Sequence, residues 1–191
     1  MSRRLAWLFV ALLASACGEP PNKEMDQAQG AIDAARAAGA DRYATSEYKL
    51  ATDALASANT AVTQGDYRLA LNHALESLEQ AQNAARVAAD TRARLRGTVE
   101  RQMAETAALM AQANNRLEEA RKTRGVSRRA LDEIAATLSA VNADVQKAGE
   151  AITAEDYLAA GPLLDGVRER ITAAMAAIDA ARTSQQQRRR R

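Results

Sequence analysis

The segment VSRRALDEIAATLSAVNADVQKAGEAIT, residues 126–153, carries apolar side chains at alternating spacings of three and four. This spacing places them on one face of an α-helix, as in helices that pack lengthwise against partners. Ser127 stands near the start of the segment, where a hydroxyl group caps a helix well. We therefore predict a helix with one buried face. The residues of that face are Leu131, Ile134, Leu138, Val141, Val145, Ala148 and Ile152.

The same spacing continues on the N-terminal side, beyond a turn predicted at residues 123–127. No proline lies between Asp66 and Arg124, so we expect one uninterrupted helix. Gly97 costs about 1 kcal/mol relative to alanine and would allow a bend. At 1.5 Å per residue the helix would be roughly 85 Å long. Its predicted inward residues are Leu71, Leu75, Leu78, Ala81, Ala85, Ala88, Leu95, Val99, Met103, Thr106, Met110, Ala113, Leu117 and Ala120.

Two shorter apolar stripes precede this long helix. The first stops at Gly39, a suitable C-terminal cap, and the second stops at Gly65. Asp66 offers an N-terminal cap for the next helix, so Gly65 and Asp66 are predicted to form the turn of a helical hairpin. The inward residues of the two stripes are Met25, Ala28, Ile32 and Ala35, followed by Tyr48, Ala51, Leu55, Ala58 and Val62.

The C-terminal part of the chain shows a second hairpin. Its turn is predicted at residues 153–156, and Gly161 and Pro162 either kink the last helix or mark its true start. The predicted inward residues of this helix are Leu164, Val167, Ile171, Met175, Ile178 and Ala181.

An internal repeat relates the two hairpin turns. GDYRLA at residues 65–70 aligns with EDYLAA at residues 155–160, and each motif lies between two apolar stripes. A repeated hairpin buries its apolar face against neighbouring helices. We therefore predict an all-α protein, an elongated antiparallel helical bundle in which two three-helix units share the long central helix. One compact bundle of the same helices is the alternative.

The N-terminus has the features of an exported protein. Two arginines precede an apolar run at residues 5–14, which is far shorter than the roughly 20 residues that a membrane-spanning helix requires. Residues 13–17, LASAC, resemble the bacterial lipobox, although Ala14 stands where leucine is more usual. In the lipobox the cysteine is acylated and becomes the new N-terminus. The alternative is an ordinary signal peptide followed by a chance cysteine.

Lipidation also accounts for the cysteine content. Cys17 is the only cysteine of the chain, so it has no disulfide partner within the chain. Acyl chains contribute about 0.8 kcal/mol for each buried methylene, so several chains hold a protein stably at a membrane. Gly18 stands where lipoproteins retained in the inner membrane tend to have aspartate. We therefore expect a lipid anchor at Cys17 in the outer membrane, facing the periplasm.

These features divide the chain into five predicted segments. The prolines at positions 20 and 21 oppose a helix and predict a short extended tether after the anchor. The segments are a signal peptide at residues 1–16, a lipidated tether at 17–23, a helical-hairpin domain at 24–94, a three-helix bundle at 95–184 and a basic tail at 185–191.

Residues 31–89 contain regularly spaced alanines and two short motifs, ADRYA at residues 40–44 and GDY at residues 65–67. This segment resembles the alanine-rich helical-hairpin domain of uncharacterised bacterial envelope lipoproteins, which looks like a tetratricopeptide unit. The resemblance implies an envelope role and supplies no catalytic residues. Some members of that family also carry a C-terminal peptidoglycan-binding domain of the outer-membrane-protein-A type, which has no counterpart in this sequence.

Composition and charge argue against several classes of function. Removal of residues 1–16 takes two arginines from the 26 basic residues and leaves 24, which balance the 24 acidic ones. A nucleic-acid-binding protein would carry a basic excess on its fold, so nucleic acid is not an expected partner. The aromatic content of 3% favours thin helical packing over a thick core.

The sequence shows no catalytic equipment. His73 is the only histidine, and a metal ligand would need partners of its own type. Carboxylate pairs such as Glu118–Glu119 are ordinarily the solvated face of a helix. We therefore expect no enzymatic activity, no metal site and no cofactor.

Two tyrosines occupy matching positions after the hairpin turns. We expect Tyr67 and Tyr157 to pack across their turns. The alternative function is a tetratricopeptide-like module that binds peptides or client proteins in a groove lined by tyrosine and by Asn72, Gln82 or Asn83.

A cluster of basic residues lies at the turn between the third and fourth predicted helices, and four arginines close the chain. If the helices alternate in direction, both clusters reach the same end of the molecule and form a basic tip. Such a tip suits an anionic partner, either peptidoglycan or another envelope protein, while self-association stays open. The residues of the predicted tip are Arg121, Lys122, Arg124, Arg128, Arg129, Arg188, Arg189, Arg190 and Arg191. The function expected from these features is that of a non-catalytic helical scaffold or adaptor.

Overall fold

The computed structural model describes residues 19–189, and this part of the chain is helical, with no strand. The all-α prediction is therefore confirmed. The helices are α1 Asn22–Ala37, α2 Ala40–Tyr43, α3 Thr45–Thr63, α4 Tyr67–Lys122, α5 Arg128–Thr153, α6 Tyr157–Leu164 and α7 Val167–Arg189.

The chain divides into two compact units after Thr91. The first unit contains α1, α2, α3 and the beginning of α4, and the second contains the rest of α4 with α5, α6 and α7. α4 runs without a break through Gly97, which confirms the prediction of one uninterrupted helix.

The core of the first unit is made almost entirely of alanine. Leu75 is 47% exposed, so the prediction that it faces inward is wrong, and Leu71 and Leu78 are only half-buried. The buried residues of α3 are Ala51, Ala54, Ala58 and Ala61, and those of α4 within this unit are Ala70, Ala74, Ser77, Ala81, Ala84 and Ala88.

Alanine rather than leucine forms this core because α3 and α4 approach each other closely. The hydroxyl group of Ser77 donates a hydrogen bond of 2.8 Å to the backbone carbonyl of Ala51 on the opposite helix. A larger side chain on this contact line would hold the two helices apart, because interiors leave little free space. The leucines therefore lie at the flanks of the seam.

The core of the second unit uses larger side chains. On α5, Leu131, Leu138, Val141 and Ala148 are buried as predicted, whereas Ile134, Val145 and Ile152 are only half-buried. These residues pack against buried residues of α4 and α7. The principal partners are Ala113, Leu117 and Ala120 on α4 and Val167, Ile171, Met175 and Ile178 on α7.

The two hairpin turns have the same backbone geometry, as the sequence repeat predicts. The backbone N–H groups of Asp66 and Asp156 donate to the carbonyls of Ala61 and Ala151, at 3.0 and 2.9 Å. Each aspartate also accepts a hydrogen bond at Oδ1 from the backbone N–H group of the residue three positions later. The residue before it has a positive φ in both turns, 76° at Gly65 and 58° at Glu155.

This difference gives a matched pair of stability predictions. Because a side chain is strained at positive φ, Glu155→Gly should raise the free energy of unfolding by about 0.5–1 kcal/mol, and Gly65→Ala should lower it by about 1 kcal/mol. Glu155 also forms an ion pair with Arg92, but exposed pairs contribute little. Glu155→Gln, which removes the charge and keeps the strain, is the control in chemical denaturation. Equal stability of the Gly and Gln variants would contradict the strain argument.

The last helical segment departs from the expectation that Gly161 and Pro162 mark its true start. The helix begins at Tyr157 and continues through Pro162, so the proline neither starts it nor ends it. The break follows at Asp165 and Gly166, where Gly166 has a φ of 71°. α7 then begins at Val167.

Candidate functional site

The turn between α4 and α5 brings the basic residues of two helix ends together. Gly125 adopts a φ of 90°, which favours glycine, and allows the chain to reverse. Ser127 caps α5 by accepting a hydrogen bond of 3.4 Å from the backbone of Ala130. Val126 is buried in the core cluster of this unit and fixes the turn to it.

A cavity of about 460 Å³ lies at this turn. Four of the predicted tip residues line it, namely Arg121, Lys122, Arg124 and Arg128. Arg129 does not, because its side chain is 91% exposed and pairs with Glu133 at 3.2 Å. The remaining lining residues are Thr123, Gly125, Val126, Leu131 and Asp132.

Ion pairs fix the alignment of α4 with the C-terminal helices of the same unit. Glu105 pairs with Arg168 at 3.2 Å, Arg116 with Asp179 at 2.8 Å, and Glu119 with Arg182 at 3.7 Å. The partners are 63 positions apart in the sequence in each case. Arg92 and Glu155 pair with the same separation. α4 and α7 therefore run in parallel with a constant register.

The last of these pairs, Glu119 with Arg182, lies three residues before the end of α4 at Lys122. The backbone of α7 continues to Arg189. The side chains from residue 185 onward, and Arg190 and Arg191 altogether, lie outside the described residues.

Arg96 lies on α4, where the charge of Glu155 in the second hairpin turn acts on it. The pKa of Arg96 is raised, first by the hydrogen bond that it donates to Glu100 and then by the charge of Glu100. Tyr157 and Glu155 add smaller effects in the same direction. Arg96 therefore remains a cation throughout the physiological range of pH.

The predicted anchor, Cys17, lies outside the described residues. The segment predicted as an extended tether, residues 17–23, overlaps α1, which already begins at Asn22. The backbone N–H of Met25 donates to the carbonyl of Pro21, so the second proline directly precedes the first helical turn. This position suits proline, which has no N–H group to donate.

His73 lies on α4 and is partly exposed. Its Nδ1 is 3.2 Å from Oε2 of Glu76, one helical turn away. Within the described part of the chain, no three His, Cys, Asp or Glu residues lie close enough to hold a metal ion.

The residues of the predicted peptide groove do not share one face. At about 100° per residue, Tyr67 lies roughly 140° around α4 from Asn72. Asn83 accepts a hydrogen bond of 2.7 Å from Arg86, and Gln82 is exposed. Tyr157 is buried, whereas Tyr67 is half-buried, so the two tyrosines have different surroundings.

An apolar groove between α5 and α7 was not predicted from the sequence. It has a volume of about 440 Å³ and is flanked by Glu133 and Arg170. The signal for it was the repeated alanine on α7, which leaves space beside Ile134. Its small lining residues are Ala130, Ala173, Ala174 and Ala177.

Comparison with known proteins gives one match. Residues 23–98 match the family model of a domain of unknown function, DUF4398. This domain contains α1, α2, α3 and the first part of α4. Searches of curated proteins and of solved structures gave no match. Among the described residues, no helix is both long enough and apolar enough to cross a membrane.

Proposed function

We propose that this chain is a lipoprotein of the bacterial cell envelope, anchored through Cys17 and acting as a non-catalytic helical scaffold or adaptor. The observation that carries the proposal is the N-terminal sequence. A basic start, a short apolar run and small residues precede the only cysteine of the chain. The proposed location is the outer membrane, on its periplasmic side.

Two features of the described residues support a scaffold. Helices account for nearly all of them, and their buried residues serve packing. Of the side chains with catalytic potential, His73 contacts Glu76, and Cys17 is the residue that we propose carries the lipid. The proposed partner is an anionic component of the envelope, either peptidoglycan or another envelope protein, which the basic α4–α5 turn would contact.

One observation favours the alternative, a tetratricopeptide-like module that binds peptides or client proteins. A shallow groove of about 300 Å³ lies between α3 and α4 in the first unit. Leu69, which is 37% exposed, and His73 line it together with Gln64. A bound extended peptide should shift the amide resonances of these residues, whereas a scaffold partner at the α4–α5 turn should leave them unchanged.

The anchor is tested by Cys17→Ser. Serine offers no thiol for the thioether to the diacylglyceryl group, so the variant should remain an unlipidated precursor. After membranes are washed in high salt, the wild-type chain should partition into the detergent phase and the variant should not. Metabolic labelling with a radioactive fatty acid should mark only the wild type.

Ser15→Ala is the matched control, because it keeps a small residue beside the cleavage position. It should be labelled and fractionated like the wild type. Fatty-acid labelling of Cys17→Ser would show that the lipid is attached elsewhere and would remove the anchor from the proposal.

A further inference from the structure

The first turn of α1 lies beside the last turn of α3. Ile32 packs in one cluster with Ala51, and one helical turn further along α1 the Nε of Arg36 donates a hydrogen bond of 2.8 Å to the hydroxyl group of Tyr48. Residue numbers rise along α1 as they fall along α3, so the two helices are antiparallel. Asn22, where α1 begins, therefore lies near the end of α3 and the α3–α4 turn.

The proposed anchor is joined to this same end of the first unit. Cys17 and Asn22 are five positions apart, and a fully extended chain of that length spans at most about 18 Å. Within this link the backbone N–H of Asn22 donates to the carbonyl of Pro20 at 2.8 Å, so its described part is not fully extended. A lipid on Cys17 would therefore hold the start of α1, and the α3–α4 turn beside it, close to the bilayer.

Apolar and aromatic side chains are presented at this end. The Cα–Cβ bonds of an α-helix tilt toward its N-terminus, and both α1 and α4 begin here. The first turn of α4 carries Tyr67, which is half-buried, and Leu69, which is 37% exposed. Met25 in the first turn of α1 is also half-buried. A tyrosine, with an apolar ring and a polar tip, suits the boundary between water and lipid.

The charged groups at this end have both signs, so they do not select an anionic partner. Lys23 and Arg68 are exposed cations, and the carboxylate of Asp66 accepts a hydrogen bond from the backbone of Leu69. The contact must therefore be apolar and weak. A short tether makes a weak contact intramolecular, with an effective concentration of about a millimolar, so the contact forms on the anchored chain and not on the free one.

We propose that the α3–α4 turn, through Tyr67 and Leu69, is a contact surface for the lipid bilayer that holds the anchor. The inference rests on the proposed anchor at Cys17 and adds which end of the first unit faces the lipid. The partner is the uncharged interfacial region of the bilayer. The contact needs only the short link at residues 17–22 and the apolar side chains of the turn.

The test uses the mature chain from residue 17, coupled at Cys17 to a maleimide phospholipid in phosphatidylcholine vesicles. Cys17 is the only cysteine, so the coupling is specific and does not require acylation by the cell. Trp7 is the only tryptophan and precedes the mature chain, so Leu69→Trp supplies a single fluorophore. Its emission should shift to the blue and be quenched by brominated phosphatidylcholine. The uncoupled variant with the same vesicles gives the baseline.

Leu50→Trp is the matched control. Leu50 is 55% exposed and lies about 20 Å along α3 from the end of that helix at Thr63. It is seven positions from Ser57, which lines the same groove as Leu69, so both leucines lie on one side of the hairpin. The tryptophan of this variant should be neither shifted nor quenched after coupling. Circular dichroism checks that both variants keep the helical content of the wild type.

Three outcomes would overturn the contact. No quenching of Leu69→Trp in the coupled chain would show that the turn does not reach the lipid. Equal quenching at positions 50 and 69 would show that the hairpin lies on its side. A blue shift at position 69 without quenching, growing with protein density, would assign the surface to a second copy of the chain.

Failure of the contact and failure of the proposed function give different results. Absence of fatty-acid labelling in the wild type would overturn the natural anchor, and with it the source of the tether. Absence of quenching in the chemically coupled chain would overturn the contact alone, because the coupling supplies the tether whether or not the cell does.

Discussion

Leu138→Ala should lower the free energy of unfolding of the second unit by about 2–4 kcal/mol. Leu138 is 3% exposed and belongs to the cluster that joins α4, α5 and α7. Removal of its side chain forfeits the burial of several methyl and methylene groups and leaves a cavity that rigid helices fill only in part. Thermal and urea denaturation followed by circular dichroism measure the loss.

Leu75→Ala is the matched control for this prediction. Leu75 was expected in the core from its spacing, but it is 47% exposed, so the same substitution should cost well under about 1 kcal/mol. Equal losses at Leu75 and Leu138 would mean that the faces of α4 are assigned wrongly. An unchanged melting temperature for Leu138→Ala would mean that α5 does not pack as described.

The contrast between these leucines shows what the sequence could predict about helix faces. On α5 the branched aliphatic residues themselves form the contact line, so their spacing predicts the buried face, with Ile134, Val145 and Ile152 only half-buried. In the first unit the contact line consists of alanine. Alanine is common on both faces of these helices, and hydropathy alone does not distinguish the buried copies.

The basic site could be predicted in part. Four lining residues were predicted because they lie at or beside one predicted turn in the sequence. They are Arg121, Lys122, Arg124 and Arg128. Their arrangement around one cavity depends on the left-handed conformation of Gly125, which does not follow from spacing alone. The pair of Arg129 with Glu133 joins positions i and i+4 of α5, so its spacing could have indicated it.

The constant register is a tertiary property that the sequence did not reveal. Arg116 and Asp179 are 63 residues apart, and their pairing requires α4 and α7 to be parallel at a defined height. The sequence predicted that the helices alternate in direction. A shift of α7 along α4 by one helical turn would have kept every predicted buried face, so the pattern of burial does not determine the height of α7. Packing of the core cluster, which includes Ala113 and Ile178, selects the observed height.

Ala81→Leu should lower the stability of the first unit by about 1–3 kcal/mol, although it adds a more hydrophobic side chain. Ala81 is fully buried and packs in one cluster with Ile32 and Ala51. The neighbouring hydrogen bond from Ser77 to the carbonyl of Ala51 requires α3 and α4 to remain close. Three additional carbon atoms would have to separate these helices or adopt a strained rotamer.

Ala89→Leu is the matched control for Ala81→Leu, because Ala89 is an exposed position of the same helix. Alanine and leucine differ little in helix propensity, so this variant should change the stability by less than about 0.5 kcal/mol. Urea denaturation of both variants, with hydrogen exchange of the α3 amides, measures the effect where it should occur. A stabilising Ala81→Leu would show that the seam between α3 and α4 has room for a larger side chain, and that close helix approach is not what selects alanine there.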